Sequence, residues 1–298
     1  MNSGKPKFSI IIPTYNHASF LQKCLMSILA QSITDWEAIV VNNFSKDNTI
    51  EIVEGFKDDR IKLINFKNEG IIAASRNKGI QSSQGDIIAF LDSDDIWYPQ
   101  KLETIDKLFQ EADIVYHDLD IYTAKGKESF RKIKCRKLSQ SPFIDLMVNG
   151  NALANSGVAI KRNIIDQVGG LCEDRALVAA EDTDLWLRIS RITNKFKYIP
   201  KSLGGYFLWE GNATEVSEKQ ILRVKELSDR HVSFLSAEDR SRHELLLSYV
   251  LGRVKQRMGL LNDALGFLKI SMRSSNIKLK FKSAFFISLI IMKPIKTS

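Results

Sequence analysis

The chain has 298 residues, 44% hydrophobic and 26% charged, an ordinary globular balance with room for one large domain, an appendage and a sizeable core. Cys24, Cys135 and Cys172 are odd in number and widely spaced, and His17, His117, His231 and His243 are scattered, which excludes a disulfide framework, a zinc pattern and a His-based metal site. The formal net charge of +8 is uneven: residues 1–213 carry 27 Lys+Arg and 27 Asp+Glu, whereas residues 214–298 carry 16 and 8 with no acid after Asp263, so the neutral body excludes general nucleic-acid binding and the basic tail points to an anionic partner, with a phospholipid surface one candidate.

Met1–Lys7 runs into the first strand without an apolar leader core, and no run reaches the roughly 18–20 apolar residues of a membrane span, so a cytoplasmic location is expected. Phe8–Ile12 is a buried strand stopped by Pro13-Thr14-Tyr15-Asn16. Leu21, Cys24, Leu25, Ile28 and Leu29 mark one face of a helix. A strand over Ala38–Val41 runs into Asn42–Thr49, followed by a helix through Ile50 and Val53, a strand over Ile61–Ile64 and a helix from Ile71 to Ser82. Ile87–Leu91 is a fourth apolar strand, and Leu102–Phe109 and Asp113–Tyr116 continue the helix–strand alternation. Strands apolar throughout and alternating with helices predict an α/β fold with a mainly parallel sheet covered on both faces.

Three carboxylates follow the fourth strand at once: Asp92, Asp94 and Asp95. Held together they repel, and a hard divalent cation such as Mg²⁺ or Mn²⁺, completed by water and substrate phosphates, relieves that. The rim past the strand ends is where open α/β sheets bind ligands. The alternative is a polar turn capping the next helix. No G-x-G-x-x-G or Walker pattern occurs.

Lys125–Lys137 is a basic loop or edge hairpin, read as solvated surface. Ser156–Ile160 reads as a strand and Ile164–Val168 as a short helix ended by Gly169-Gly170. Glu181-Asp182-Thr183-Asp184 opens a helix, where acids also suit the helix dipole. Phe196–Pro200 and Leu203–Trp209 read as two strands, and helical spacing prevails from Ser217. Ala284–Met292, flanked by Lys278, Lys280, Lys282, Lys293 and Lys296, is too short to span a bilayer; it either lies in a membrane interface, with residues 278–296 as the contact, or packs on its own domain.

Five stretches in order carry a resemblance: Ile10–Asn16, Val40–Thr49, Asn68-Glu69-Gly70 with Ala74–Gly79, Leu91–Asp95, and Glu181–Arg188. Together, over about residues 6–210, they resemble glycosyltransferase family 2. The resemblance implies a GT-A fold over residues 1–213, with a nucleotide-binding half over about 6–120 and an acceptor half over about 140–213. Residues 214–298 form a basic helical C-terminal region outside it.

It further implies a nucleotide-diphosphate sugar donor, a UDP-sugar foremost, and inverting transfer to a glycan or lipid-linked acceptor at the cytoplasmic side, with the basic tail offering a peripheral contact on the inner face of the cell membrane as an alternative to packing on its own domain. Pro13, Tyr15, Asn43, Arg76, Asp92 and Asp94 are the implied donor contacts. Asp95, with Asp94, is the implied metal site for Mn²⁺ or Mg²⁺; Asp94 is alternatively a ribose contact. Asp182 is the implied general base, Glu181 orients the loop or the acceptor, and Trp186 either stacks on a sugar or fills the core. The chain departs from the family pattern at Asn42-Asn43, where paired aspartates are usual, and at Phe207-Leu208-Trp209, where an Arg-x-His sometimes stands. Asn43 keeps a carbonyl acceptor but adds an NH₂ donor, which leaves the donor's base open. Two rival readings are a catalytically silent nucleotide-sugar-binding scaffold and a sugar nucleotidyltransferase; the latter needs a Gly-rich phosphate loop that Pro13–Asn16 lacks.

Overall fold

The computed structural model describes residues 4–209 and 216–292. The expected boundary at 213 and the flanking Lys293 and Lys296 lie outside the described residues. The chain divides into two compact units: Met1–Pro142 with Ala152–Ala213, and Phe143–Asn151 with Thr214–Ser298.

The first unit runs β1 (Phe8–Thr14), α1 (Ala18–Leu29), β2 (Trp36–Asn42), α2 (Thr49–Gly55), β3 (Ile61–Asn65), α3 (Ile72–Gln81) and β4 (Ile87–Phe90). It continues through β5 (Ile96–Trp97), α4 (Lys101–Asp106), β6 (Ile114–Thr123) and β7 (Gly126–Ile133). After α5 (Pro142–Asn149) come β8 (Ala159–Lys161), α6 (Arg162–Gln167), α7 (Glu181–Ile189) and β9 (Phe196–Phe207). Every residue of β1, β2 and β4 is buried, as strands covered on both faces require. One side of the sheet is closed by Leu21, Cys24, Leu25 and Ile28 of α1 packed on Phe8, Ile10, Ile12 and Val40.

Among the described residues the strands form one nine-stranded sheet in the order β3-β2-β1-β4-β8-β6-β9-β5, with β7 on β6. It is parallel across β3-β2-β1-β4 and mixed beyond, where β8 runs antiparallel to both β4 and β6. That reversal positions the site. Ala89 stands opposite Ala159, so the residues before β8 lie beside the end of β4.

Three local readings are refined. Phe196–Phe207 is one strand, not two; its register against β6 slips between Ile199 and Ser202, where Pro200 has no N–H for the ladder. Only Ala159–Lys161 of the expected Ser156 strand is paired, and Asn155–Gly157 is a 3-10 turn. The basic stretch forms the edge hairpin β6–β7, with β7 largely exposed.

The second unit holds α5 with α8 (Glu218–His231), α9 (Ala237–Arg257), α10 (Leu261–Ser271) and α11 (Ile277–Ile291). Ile221, Leu251 and Val254 form one small core, and Ala264, Leu268 and Ile290 another. Gly252 lets α9 and α10 meet, since a Cβ there would stand 2.9 Å from Leu268 Cγ. Buried His243 ties three helices, with Nε2 2.7 Å from Ser228 Oγ and Nδ1 2.7 Å from the Met147 carbonyl oxygen.

Candidate active site

The loops after the parallel strands meet at one rim and are laced by hydrogen bonds. Asn43 N–H donates to the Thr14 carbonyl, tying the β1 and β2 exits. Asn16 takes Lys46 N–H on its side-chain oxygen, and its own N–H donates to Ser45 Oγ. Asn42, fully buried, accepts from Ser45 N–H and Oγ–H and donates to Asn65 Oδ1. Glu69 and Gly70 both take left-handed backbone conformations ahead of α3. These loops enclose a cleft of about 400 Å³, lined on one side by Pro13, Tyr15, Asn43 and Gly70, and on the acidic side by Asp92, Asp94 and Tyr206. That volume suits a nucleotide-sized ligand. A larger cavity of about 830 Å³ lies across the Phe20–Phe207–Trp209 wall, but none of the acidic-loop carboxylates reaches it.

The centre of the arrangement is Arg76 on α3, only 4% exposed. Its Nη2–H donates to Asp92 Oδ1 at 2.7 Å and its Nη1–H to Glu181 Oε1 at 2.6 Å. One guanidinium therefore joins the acidic loop after β4 to the first turn of α7, which carries Asp182 as its next residue. Arg76 is not among the residues lining the cleft. Expected as a base or phosphate contact, in this structure it ties two carboxylates together, one through each terminal nitrogen. Glu181, expected toward the acceptor, is buried against the same guanidinium.

The acidic loop is clamped from below by residues the motif reading missed. Asn155 Nδ2–H donates to Asp92 Oδ1 at 3.1 Å. Ser156 Oγ–H donates to Asp95 Oδ2 at 2.5 Å, while Ser156 Oγ accepts from Asp92 N–H at 3.1 Å. Trp97 Nε1–H holds the Ser156 carbonyl at 2.7 Å. An Asn-Ser-Gly triplet is a turn signal that runs against the strand expected from Ser156; its pairing to the acidic loop needed the antiparallel register of β8. Asp94 takes Trp209 Nε1–H at 2.9 Å, and His17 Nδ1 lies 2.9 Å from Ser93 Oγ. His17 and Trp209 pack edge to face at 5.3 Å, so the departure at Phe207-Leu208-Trp209 supplies an aromatic wall.

Two expected site residues are turned away from the cleft. Asp95, expected as the principal metal ligand, is 1% exposed and turned inward, where Ser156 and the Phe207 N–H occupy its oxygens. Asp92 and Asp94 are the acids that face the cleft. Trp186 has no exposed surface and packs on Phe90 at 6.2 Å, so it fills the core and offers no platform for a sugar.

The electrostatics are those of an acidic surplus. Burial, then the charge of Asp92, pushes the Asp94 carboxyl up. Burial, then Asp92 and Asp94, pushes Asp95 well above the usual range. Asp182 is raised to about 6 by burial and by Glu181, against the pull of Arg76. Arg76 Nε, Glu181 Oε2 and Asn155 Oδ1 are buried without a protein partner among the described residues. Asp92, Glu181 and Asp182 act on the Arg76 guanidinium, and Asp94 and Asp95 add uncompensated negative charge beside Asp92, an excess that an added divalent cation would offset. Among the described residues no group of three His, Cys, Asp or Glu side chains is arranged to hold a metal ion.

Comparison with known proteins bears on this geometry. The glycosyl transferase family 2 profile matches residues 9–168. An uncharacterized glycosyltransferase of Nostoc sp. is 34% identical over 171 residues, covering 54% of this chain and 53% of that protein. TuaG of Bacillus subtilis, a glycosyltransferase assigned to teichuronic acid biosynthesis, is 38% identical over 105 residues, covering 35% of this chain and 42% of TuaG. The chain thus spans about half the length of these curated relatives. The crystal structure of Staphylococcus aureus TarS 1–349 with UDP-GlcNAc superposes with a TM-score of 0.64 at 18% identity, covering 95% of this chain and 90% of that one. The shared architecture is GT-A with a helical C-terminal addition. The matched profile covers more than half of the residues and spans β1 to α6, including the segments that bear Pro13, Tyr15, Asn43, Gly70, Asp92 and Asp94: the chain belongs to glycosyl transferase family 2.

Proposed function

We propose that the chain transfers a sugar from a nucleoside-diphosphate donor to an acceptor hydroxyl by a single inverting displacement. The Arg76 bridge carries this reading, because it couples the cleft-facing Asp92 to the helix start that bears Asp182. The acceptor oxygen forms its bond to the anomeric carbon as the bond from that carbon to the β-phosphate oxygen breaks. The hydroxyl proton passes to Asp182, and the nucleoside diphosphate departs. A base raised to about 6 suits that task, being ionised at neutral pH yet more basic than an ordinary carboxylate.

A divalent cation, Mg²⁺ or Mn²⁺, supplies neutralisation of the charge gathering on the departing diphosphate. Asp94, with Asp92 beside it, would hold it. Asp95 and Ser156 brace that loop from behind. Tyr15, half exposed at the cleft edge, offers a flat face to a base. Asn43 Oδ1 accepts the Asn68 N–H at 3.0 Å, which leaves its NH₂ to donate to a base that carries an acceptor. A uracil carbonyl meets that need. The UDP-GlcNAc complex of TarS supports a UDP-sugar, and the assignment of TuaG supports an envelope polysaccharide as acceptor.

The test is release of nucleoside diphosphate from a panel of nucleotide sugars, with Mn²⁺ and with EDTA. Turnover or slow donor hydrolysis is expected with the metal and is lost with the chelator. A panel with donor binding but no turnover under any metal and acceptor would favour the silent scaffold, and no binding at all would remove both readings.

A further inference from the structure

Helix α11 is apolar on two sides, and only one is covered. Leu279, Ser283 and Ile290 are buried, with Phe286 and Ile287 packed beside them on the α9–α10 core. On the opposite side Ile277 is 66%, Phe281 72% and Phe285 57% exposed, and Leu289, Ile291 and Met292 are exposed as well. Ile277, Phe281, Phe285 and Leu289 recur every fourth residue and so form one stripe. A helix apolar all round is normally buried all round. The stripe also has charged edges. Lys280 and Lys282 are exposed and stand about 100° to either side of Phe281, and exposed Lys278 lies within the stripe. The sequence has no acid after Asp263.

We infer that this face of α11 lies in the surface of an anionic phospholipid bilayer. The phenylalanines and isoleucines enter the boundary between headgroups and acyl chains, while Lys278, Lys280 and Lys282 meet lipid phosphates. A second copy of the chain is a poor occupant. A twofold pairing across this stripe sets lysine beside lysine with no acid on the helix to offset them. The helix lies on the bilayer and does not cross it: among the described residues no helix is long and apolar enough to span.

The test is co-sedimentation of the full chain with phosphatidylcholine vesicles, with and without phosphatidylglycerol. Binding is expected only with the anionic lipid, weakening with salt. Phe281→Ser with Phe285→Ser lowers partitioning at least about tenfold. Each of Lys280→Gln and Lys282→Gln lowers it about fivefold. All four side chains are exposed, so the circular-dichroism melt and the donor-induced thermal shift stay as in the wild type, which separates this outcome from failure of the enzymatic reading. Equal partitioning of the wild type and the double phenylalanine variant overturns the inference. So does absence of binding to anionic vesicles, or a wild-type oligomer by light scattering that the variant dissolves.

Discussion

The two units break the usual distribution of side chains in opposite ways. The sheet unit buries charge: Arg76, Asp95 and Glu181 are each 5% exposed or less. The helical unit exposes apolar surface, with Phe281 and Phe285 turned outward on α11. Both departures are informative, because exposed single apolar residues are common and buried charges or apolar stripes are not. Buried charge is costly and persists only where partners are fixed, so it marks a preorganised site. Exposed apolar surface has no partner within its own unit, so it marks a surface that something else covers.

The sharpest way to break this comparison is to replace one side chain of each kind, a buried charge in the sheet unit and an exposed ring in the helical unit. Arg76→Met leaves Glu181 buried and unpaired, and is expected to cost the sheet unit about 3–5 kcal/mol in chemical denaturation. Phe281→Ser in the other unit should stay within about 0.5 kcal/mol, as exposed substitutions do. Similar losses from both would mean that the Arg76 bridge contributes no more than a surface contact.

A smaller effect sharpens the account of the acidic loop. Ser156→Ala removes the donor to Asp95 and the acceptor for Asp92 N–H while keeping the 3-10 turn. Metal-dependent turnover is expected to fall about 10–100-fold, as for other residues that orient metal-binding groups. Unchanged activation by Mn²⁺ would show that the loop holds its own shape.

Much of the sheet unit was readable from local signals. Apolar β-branched runs, polar turns and the 3.6-residue spacing of Leu21, Cys24, Leu25 and Ile28 announced the β1–β4 half. The acids past β4 were visible too, but the facing of each was not. A strand end dictates alternate directions only while the ladder lasts, and Asp92–Asp95 lie in a turn closed by Asp95 N–H on the Asp92 carbonyl. Asp95 therefore points to Ser156, a residue 61 positions away that no local pattern connects to it. Trp186 followed burial where a sugar platform had been an option. Arg76 lies in the expected stretch, but its two carboxylate partners stand 16 and 105 positions away, and no local pattern connects the second to it. In the helical unit the basic, apolar tail was evident in composition, whereas the side of α11 left open required the packing of α9 and α10.

The mildest prediction concerns pH. Asp182 titrates at about 6, raised from the ordinary carboxylate range, and its basic form exists above that value. The kcat/KM profile is therefore expected to fall about tenfold per unit below pH about 6 and to level off above it. A profile flat down to pH about 4.5 would assign the proton transfer elsewhere.

The most direct measurement is the Asp182→Asn variant assayed twice, for turnover and for donor binding by calorimetry with Mn²⁺ present. Turnover is expected to drop about 10²–10⁴-fold while the donor Kd stays within about twofold, since the amide keeps the shape and loses only the basicity. Retained turnover, or donor affinity lost in step with it, would contradict Asp182 as the base of a site that Arg76 joins to the acidic loop.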